Sequence, residues 1–278
     1  MGTMARQAAW LEIQGQRLAF DAGAAHSLAL ELDFDGQGPR WFGAPAPSSE
    51  PLRSGSFSGR VTSGASCNAS TLKLTPHCDG THTEGVGHLT LERHDVRDVV
   101  PGGFIAALLL SVVPQRAAQS GESSRPAPQA DDLLITRQDL ERAWFADLPF
   151  KPEALIVRTL PNGPEKRSRD YSHAGAAFLS LPAAELLVER GILHLVLDVP
   201  SADRAEDAGQ LAAHRVFFGL QPDARALGGA RRAQCTITEL AYVPETLPDG
   251  PCLLQLQVPA LSGDALPSRP LLYELQGT

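Results

Sequence analysis

The sequence has few cysteines and no surplus of positive charge. Its four cysteines, Cys67, Cys78, Cys235 and Cys252, form no Cys-x-x-Cys pair, so the pattern predicts neither a zinc ribbon nor a small disulfide-linked scaffold. In a chain of 278 residues such cysteines are typical of the free thiols of a cytoplasmic protein. Lysine and arginine total 24 against 32 acidic residues, a net charge of −8. This deficit argues against nucleic acid as the main partner, because phosphate binding requires clustered positive charge.

Long apolar segments are also missing. The longest, residues 104–113, is interrupted by Ser111 and is too short to cross a bilayer. The first residues pass directly into polar alternation and lack the apolar core of a signal peptide. We therefore predict a soluble, cytoplasmic protein with no membrane partner.

The order of predicted elements indicates an α/β fold with a mixed β-sheet core and flanking helices. Residues 8–34 alternate and are punctuated by turn-forming glycines, which predicts a β-meander, and residues 35–57 predict a loop. Helices between apolar strands, after this all-β start, favour a mixed sheet within one domain over residues 1–278. Strands are predicted at 104–113, 154–159, 192–198, 236–243 and 253–258, and helices from 136, at 182–190 and at 207–218.

Residues 77–88, which read HCDGTHTEGVGH, concentrate metal-binding side chains. Three of the eight histidines lie in this segment together with Glu84, and imidazole and carboxylate are ligands that suit zinc, manganese or iron. In an extended segment side chains alternate between two faces, so His82, Glu84 and His88 can point at one centre. The segment therefore predicts a divalent-metal site, and the alternative is a polar loop that is rich in histidine by chance.

The same segment resembles the signature HxGTHxDxPxH of the metal-dependent cyclase/kynurenine formamidase family. Residues 80–82 match its GTH, Glu84 stands at its aspartate and His88 at its last histidine. The likeness covers roughly residues 70–273, with residues 1–60 as the N-terminal meander and loop. It implies a swivelling β/β/α-type domain and a metal-hydrolase core.

The first ligand departs from this signature. The family has four steps between its first two histidines, whereas here Cys78 holds that position and His77 lies five steps before His82. Parity favours Cys78, and thiolate is a good zinc ligand. A one-residue bulge at Asp79 would restore His77 instead. Both alternatives stay open at this stage.

The resemblance also implies roles for later residues. His214 stands at the family's later metal-binding histidine, Glu239 resembles its later carboxylate ligand, and Trp41 resembles the aromatic residue that lines its substrate pocket. His77 or Cys78, with His82 and Glu84, would hold a first ion of zinc or manganese, and Glu84 could bridge to a second. His88 would then shuttle a proton.

These roles imply a hydrolase that cleaves carbon–nitrogen bonds other than peptide bonds, or lactone bonds, in a small-molecule substrate. A bound divalent ion makes a water nucleophilic at neutral pH. The alternative is a scaffold or binding protein that keeps a structural metal, which a closed four-ligand site including Cys78 would favour. The resemblance further implies a homo-oligomer.

The remaining polar candidates are interpreted as structural. Ser201 lacks a surrounding GxSxG motif and is predicted to be a turn residue. The basic cluster at residues 166–169 is predicted to be a solvated loop. Four histidines have no partners at useful spacing: His26, His94, His173 and His194.

Overall fold

The computed structural model describes residues 7–34, 36, 38–172 and 175–276, and most of its strands belong to one large sheet. In chain order the strands are β1 (Ala8–Ile13), β2 (Gln16–Asp21), β3 (His26–Ser27), β4 (Ser48–Pro51), β5 (Arg53–Ser54), β6 (Phe57–Ser58), β7 (Ser70–Lys73), β8 (His82–Glu84), β9 (Ile105–Val112), β10 (Gln115–Arg116), β11 (Leu133–Ile135), β12 (Ala154–Thr159), β13 (Phe178–Leu179), β14 (His194–Leu197), β15 (Thr236–Glu239), β16 (Gly250–Gln255), β17 (Ala265–Pro267) and β18 (Leu271–Glu274). The helices are α1 (Pro76–Asp79), α2 (Ala117–Ser120), α3 (Arg137–Ala143), α4 (Leu181–Arg190) and α5 (Ala212–Phe218), with 3-10 turns at Val61–Ser63, Val86–Leu89, Val96–Asp98, Pro164–Arg167 and Leu227–Gly229.

The large sheet has nine strands in the order β17-β8-β15-β14-β12-β9-β16-β18-β3. The four strands from β15 to β9 are parallel to one another, and every other pairing in this sheet is antiparallel. The predicted strand at 154–159 is found with those bounds, and the apolar run at 104–113 contains β9. A mixed sheet with few helices confirms the predicted α/β class.

Both faces of the sheet are covered, which explains the continuous apolar runs of its central strands. Leu155 and Val157 of β12 face a core cluster that includes side chains of α4 and α5. Ala154 and Ile156 point to the opposite face and pack with Leu28 and Leu254. Burial of a Leu or Ile side chain contributes about 1.5–3 kcal/mol to folding. The strands therefore pair so that their apolar side chains lie on the buried faces, and the apolar pattern determines which residues of neighbouring strands share a face.

Two helices begin with a side-chain cap. The Thr136 hydroxyl accepts a hydrogen bond from the backbone N–H of Asp139 at 3.1 Å at the start of α3, and Ser180 caps α4 in the same way. Helix α4 ends at Gly191, which has a φ of 78°, as expected for a left-handed C-terminal cap.

The predicted helix at 207–218 begins only at Ala212. Ala208, Gly209 and Leu211 have φ angles of 58°, 71° and 45°, which are incompatible with a right-handed helix. The Asp207 carboxylate accepts backbone hydrogen bonds from Gly209 at 2.8 Å and Leu211 at 2.6 Å. This local side-chain bonding replaces the first turns of the helix with a loop.

Two other segments differ from the sequence interpretation. Residues 35–57 contain β4 and β5 rather than loop alone. Lys166, predicted to be solvated, is buried and donates from Nζ to Asp198 Oδ2 at 2.8 Å and to the Thr159 carbonyl at 2.6 Å. A buried ammonium group requires such partners.

All four cysteines are free thiols, and none of the described helices combines the length and apolar character needed to cross a membrane.

His194 in β14 predicts a pH dependence of stability. Its ring is buried, Nδ1 lies 2.9 Å from Thr236 Oγ1, and burial lowers its pKa to about 4 from 6.5. The unfolded chain therefore binds more protons than the folded chain between these values, and stability falls as pH drops through that window. We expect this residue alone to lower the free energy of unfolding by about 2 kcal/mol between pH 7 and pH 5.

Urea unfolding at each pH measures this effect. The control is His194→Asn, which keeps a polar group beside Thr236 but does not titrate. The difference in unfolding free energy between parent and variant should shrink as the pH falls. Parallel pH profiles for the two proteins would contradict the assignment.

Candidate metal centre

The candidate site lies at one end of the large sheet, where β8 pairs with β15 and β17. The register places His82 opposite Glu239, and Glu84 opposite Ile237. Directly opposed residues share a face of a sheet, so His82, Glu84 and Glu239 project to the same side as Ile237. Ile237 packs in the same cluster as Phe217 of α5, and α5 therefore brings His214 over these side chains.

The buried part of the site joins two histidines to two carboxylates. His214 Nε2 lies 2.8 Å from Glu84 Oε1 and 3.4 Å from Glu239 Oε1, and His82 Nε2 lies 3.4 Å from Glu239 Oε2. One ligand atom from each of His82, Glu84 and Glu239 can be chosen so that all lie within 4.8 Å of one another. All four residues are buried. The site therefore concentrates charge in the interior.

A second group lies on the cavity side of Glu84. His77 Nε2 is 3.2 Å from Asp264 Oδ2 and 3.5 Å from Glu84 Oε2, and His88 Nδ1 is 3.5 Å from the same Asp264 oxygen. The ring centroids of His77 and His88 are 4.5 Å apart. Glu84 thus links the two groups, with Oε1 towards His214 and Oε2 towards His77.

The backbone of this segment is not the continuous extended chain that the parity argument assumed. His77 lies on α1, where Pro76 occupies the first turn, a position that suits the fixed φ of proline. His88 lies in the 3-10 turn Val86–Leu89. A Cβ added to Gly87 would lie 2.4 Å from the His94 carbonyl oxygen, so this tight turn requires a glycine. The parity that favoured Cys78 therefore does not apply.

Cys78 lies in the cavity wall, packed with Trp41, Tyr171 and Leu240. Burial raises the pKa of its thiol to about 11, and the charges of Asp79 and Glu239 add to the shift. Because the thiolate is the form that binds zinc, this environment disfavours ligation. Among the described residues, Cys78 belongs to neither group of potential ligands.

Hydrogen bonds fix the orientation of two of the imidazoles. His82 Nδ1 donates to the Gly80 carbonyl at 3.0 Å, and His214 Nδ1 donates to Asp203 Oδ2 at 2.7 Å. Because Nδ1 of each ring makes this bond, Nε2 is the nitrogen that faces the carboxylates. This arrangement is typical of metal-binding histidines. The Asp203 carboxylate also accepts from the backbone N–H of Ala213 at 2.8 Å.

Glu239 is held in the same manner by a backbone donor. The Ala202 N–H donates to Glu239 Oε1 at 2.6 Å, which leaves Oε2 directed at His82. Ala202 and Asp203 belong to one turn, in which Ser201 Oγ accepts from the Asp203 N–H at 3.2 Å. Ser201 is therefore the turn residue that the sequence predicts, and this turn positions both Glu239 and His214.

The donor set fits a divalent cation. Four buried atoms at the site make no hydrogen bond of normal geometry: His77 Nε2, His82 Nε2, His214 Nε2 and Glu84 Oε1. Each of the three nitrogens instead lies 2.8–3.5 Å from a carboxylate oxygen. Leaving a buried polar atom without a partner costs about 1–3 kcal/mol, and bound divalent cations would give these nitrogen and oxygen atoms a partner. Imidazole nitrogen and carboxylate oxygen suit zinc, manganese or iron.

Neighbouring charges outweigh burial at these groups. Burial disfavours the carboxylate of Glu84, yet the charges of His88 and His214 hold its pKa well below the usual range. Burial likewise disfavours protonated His214, yet Glu84, Asp203 and Glu239 raise its pKa well above 6.5. The site therefore stabilises negative carboxylates beside positive charge, which is the electrostatic requirement of a cation site.

A cavity of about 680 Å³ lies beside these ligands. Its wall includes the apolar side chains of Trp41, Phe42 and Leu211, and the ring of Trp41 is buried. This volume is in the range of small-molecule sites. The predicted substrate residue Trp41 thus lines the same cavity as five of the predicted ligands: His77, Cys78, Glu84, His214 and Glu239.

Comparison with known families assigns the chain. The family model described as "Putative cyclase" matches residues 26–204, which include the whole histidine-rich segment. The chain belongs to the cyclase family. No curated protein matches it.

Solved structures share the fold of this cyclase-family chain at low sequence identity. A predicted metal-dependent hydrolase from Bacillus stearothermophilus is 16% identical, with a TM-score of 0.55 over 90% of this chain and 98% of that one. Isatin hydrolase A from Labrenzia aggregata is 16% identical, with a TM-score of 0.60 over 90% and 93%. Isatin hydrolase A from Ralstonia solanacearum is 14% identical, with a TM-score of 0.57 over 90% and 91%.

Sequence reasoning missed two carboxylates of the cyclase-family site. Asp264 reaches His77 and His88 because the following strand, β17, pairs with β8. Asp203 follows the predicted turn residue Ser201, but its bond to His214 depends on the packing of that turn against α5. No local spacing signals either contact. His173, interpreted as structural, lies outside the described residues.

Proposed function

We propose that the chain is a metal-dependent hydrolase that uses a metal-activated water to cleave an amide, a cyclic amide or a lactone. The observation that carries this proposal is the set of three imidazole nitrogens and Glu84 Oε1 that lie beside an open cavity, all buried and without a hydrogen bond of normal geometry. Membership of the cyclase family supports it. Its fold is also similar to those of proteins called metal-dependent hydrolase and isatin hydrolase, which supports the same proposal.

The ligands fall into two sets around Glu84. His77, His82 and Glu84 would hold one ion of zinc or manganese, and Glu84 with His214 and Glu239 would hold a second. Asp264 would add a carboxylate on the side of His77. When bound, such an ion lowers the pKa of a water from 15.7 to about 7 and polarises the attacked carbonyl.

The chain's own residues supply orientation and proton transfer. The Gly80 carbonyl and Asp203 hold His82 and His214 so that Nε2 of each faces inward. His88 lies at the cavity with 26% of its side chain exposed, where its imidazole can move a proton between water and the leaving group. Trp41 provides a flat apolar wall.

The scaffold alternative requires a closed site that includes Cys78. The raised pKa of that thiol and its position in the wall argue against such a site. The predicted homo-oligomer and cytoplasmic location stay predictions.

Hydrolysis by the metal-loaded protein tests the proposal directly. We expect zinc- or manganese-loaded protein to hydrolyse at least one member of a panel of formyl-anilides, cyclic imides and small lactones, followed by absorbance or chromatography. Removing the metal with a chelator should abolish this activity, and adding it back should restore it. A fully loaded protein that hydrolyses none of the panel would contradict the hydrolase and favour the scaffold.

The choice between His77 and Cys78 yields a separate prediction. Cys78→Ser should keep the metal, whereas His77→Ala should lose most of it, because the structure directs His77 and not the thiol at Glu84. Elemental analysis of both variants measures this. Labelling of Cys78 provides a control, since a metal-bound thiolate would react slowly until the ion is removed. Metal loss in Cys78→Ser alone would reverse the assignment.

A further inference from the structure

A second cavity, of about 410 Å³, lies next to the cavity of the candidate metal centre. Ala208 and Gly209 line both cavities, so a single loop separates them. Among the described residues, none of the proposed metal ligands lines the second cavity. Its lining does include Arg125, Arg215 and Arg225, and we call it the basic cavity.

The basic cavity is locally positive although the whole chain has a net charge of −8. Two acidic residues, Glu185 and Asp223, line it with the three arginines, so three positive and two negative charges give a net charge of +1. No ion pair joins these arginines to these acids in the described part of the chain. An excess of one positive charge in a concave site favours a ligand with one negative charge.

The guanidinium group of Arg215 is held in place by backbone carbonyls. Its Nε donates to the Gln210 carbonyl at 2.9 Å, and its Nη1 donates to the Ala224 carbonyl at 2.7 Å. Its Nη2 makes no hydrogen bond with the described residues. Because the planar group is already fixed, it loses little side-chain entropy when the remaining donors bind an anion.

Arg125 and Arg225 bring further donors from two other segments of the chain. Neither guanidinium group makes a hydrogen bond or an ion pair with another described residue. The backbone of both segments is fixed, because the Leu181 N–H donates to the Ser123 carbonyl and the Leu91 N–H donates to the Arg225 carbonyl, each at 2.8 Å. Arginines from three segments therefore line one cavity with donors that no described residue uses.

Another part of the wall of the basic cavity is aliphatic. It is formed by Leu181, Val216, Leu220 and Pro222. Contact with these side chains favours a ligand that has a hydrocarbon part, because apolar surface is removed from water. The volume is in the range of small-molecule sites. The lining therefore suits a ligand that joins a charged group to a short apolar chain.

We propose that the basic cavity binds a small organic carboxylate, whose charged group pairs with the arginines and whose hydrocarbon part packs on the aliphatic wall. Guanidinium groups bind carboxylates through two parallel hydrogen bonds. A net charge of +1 matches a carboxylate better than a phosphate monoester, which carries about −1.5 to −2 charges at pH 7.

This carboxylate is a second ligand and not the hydrolysed substrate, because no proposed metal ligand lines the basic cavity. Its position nevertheless links it to the candidate metal centre. Arg215 follows His214 on α5, so a carboxylate on Arg215 contacts the helix that carries a proposed metal ligand.

Calorimetric titration of hexanoate into the metal-loaded protein tests this proposal. Arg125→Gln and Arg225→Gln should each raise the Kd for hexanoate about tenfold, the effect of losing one hydrogen bond to a charged group. The matched control is Arg53→Gln, since Arg53 is an exposed arginine on β5 that lines neither cavity, and this variant should keep the Kd of the parent. The melting temperatures of the parent and the three variants should agree, because the removed guanidinium groups bond to no described residue.

Two other ligands test the chemistry of the bound group. Hexanamide has the same chain without the charge and should bind about tenfold more weakly than hexanoate, and hexyl phosphate should also bind more weakly. No binding of hexanoate to the parent, or equal affinity for hexanamide, would overturn the proposal. Equal affinity of the parent, Arg125→Gln and Arg225→Gln for hexanoate would place the carboxylate elsewhere, such as on the metal, and would also overturn it. Tighter, arginine-dependent binding of hexyl phosphate would overturn the carboxylate in favour of a phosphate ester.

Discussion

Replacing His88 with asparagine should lower kcat about 10²–10⁴-fold while most of the metal stays bound. His88 lies at the cavity with its Nδ1 3.5 Å from Asp264 Oδ2, and the negative charge of Glu84 raises its pKa. Asparagine preserves a polar group of similar size but cannot transfer a proton. The loss should therefore fall on the chemical step rather than on substrate binding.

Steady-state kinetics and elemental analysis on the same preparation measure this prediction. The control is His26→Asn, which removes a partly exposed imidazole bonded to Glu274, away from the cavity, and should leave kcat unchanged. His88 also belongs to a potential ligand group with His77 and Asp264. Loss of metal in parallel with activity would therefore make His88 a ligand and contradict its role as a proton shuttle.

The part of the site that the sequence predicts is the part encoded locally. His82 and Glu84 are two residues apart on a strand. Because side chains of a strand alternate with a period of two, the two residues share one face irrespective of long-range contacts. The apolar run of β9 likewise predicts its own strand, because both of its faces are buried. Such inferences need only the residues themselves and an elementary periodicity.

The contacts that the sequence could not predict depend on long-range pairing or on local backbone geometry. Asp264 reaches the histidines only because β17 is the neighbour of β8 in the sheet. His77 rather than Cys78 lies beside Glu84 because α1 turns the chain where an extended segment was assumed.

Replacing His82 with alanine should reduce the bound metal at least tenfold. His82 is fully buried, its Nδ1 bonds to the Gly80 carbonyl and its Nε2 lies 3.4 Å from Glu239 Oε2. Removing one ligand from a site of four or five is rarely tolerated. The His82→Ala variant also leaves Glu84 and Glu239 close together with less positive charge beside them. This change should lower the stability of the metal-free protein.

Elemental analysis and thermal unfolding test this prediction together. A ligand at 100 times its Kd stabilises the folded state by about 2.7 kcal/mol, so a chelator should lower the melting temperature of the parent and have no effect on His82→Ala. The matched control is His94→Ala, because His94 also has a buried, unpartnered ring nitrogen but belongs to neither ligand group among the described residues. Equal metal content in the parent and His82→Ala would contradict the assignment of His82 as a metal ligand.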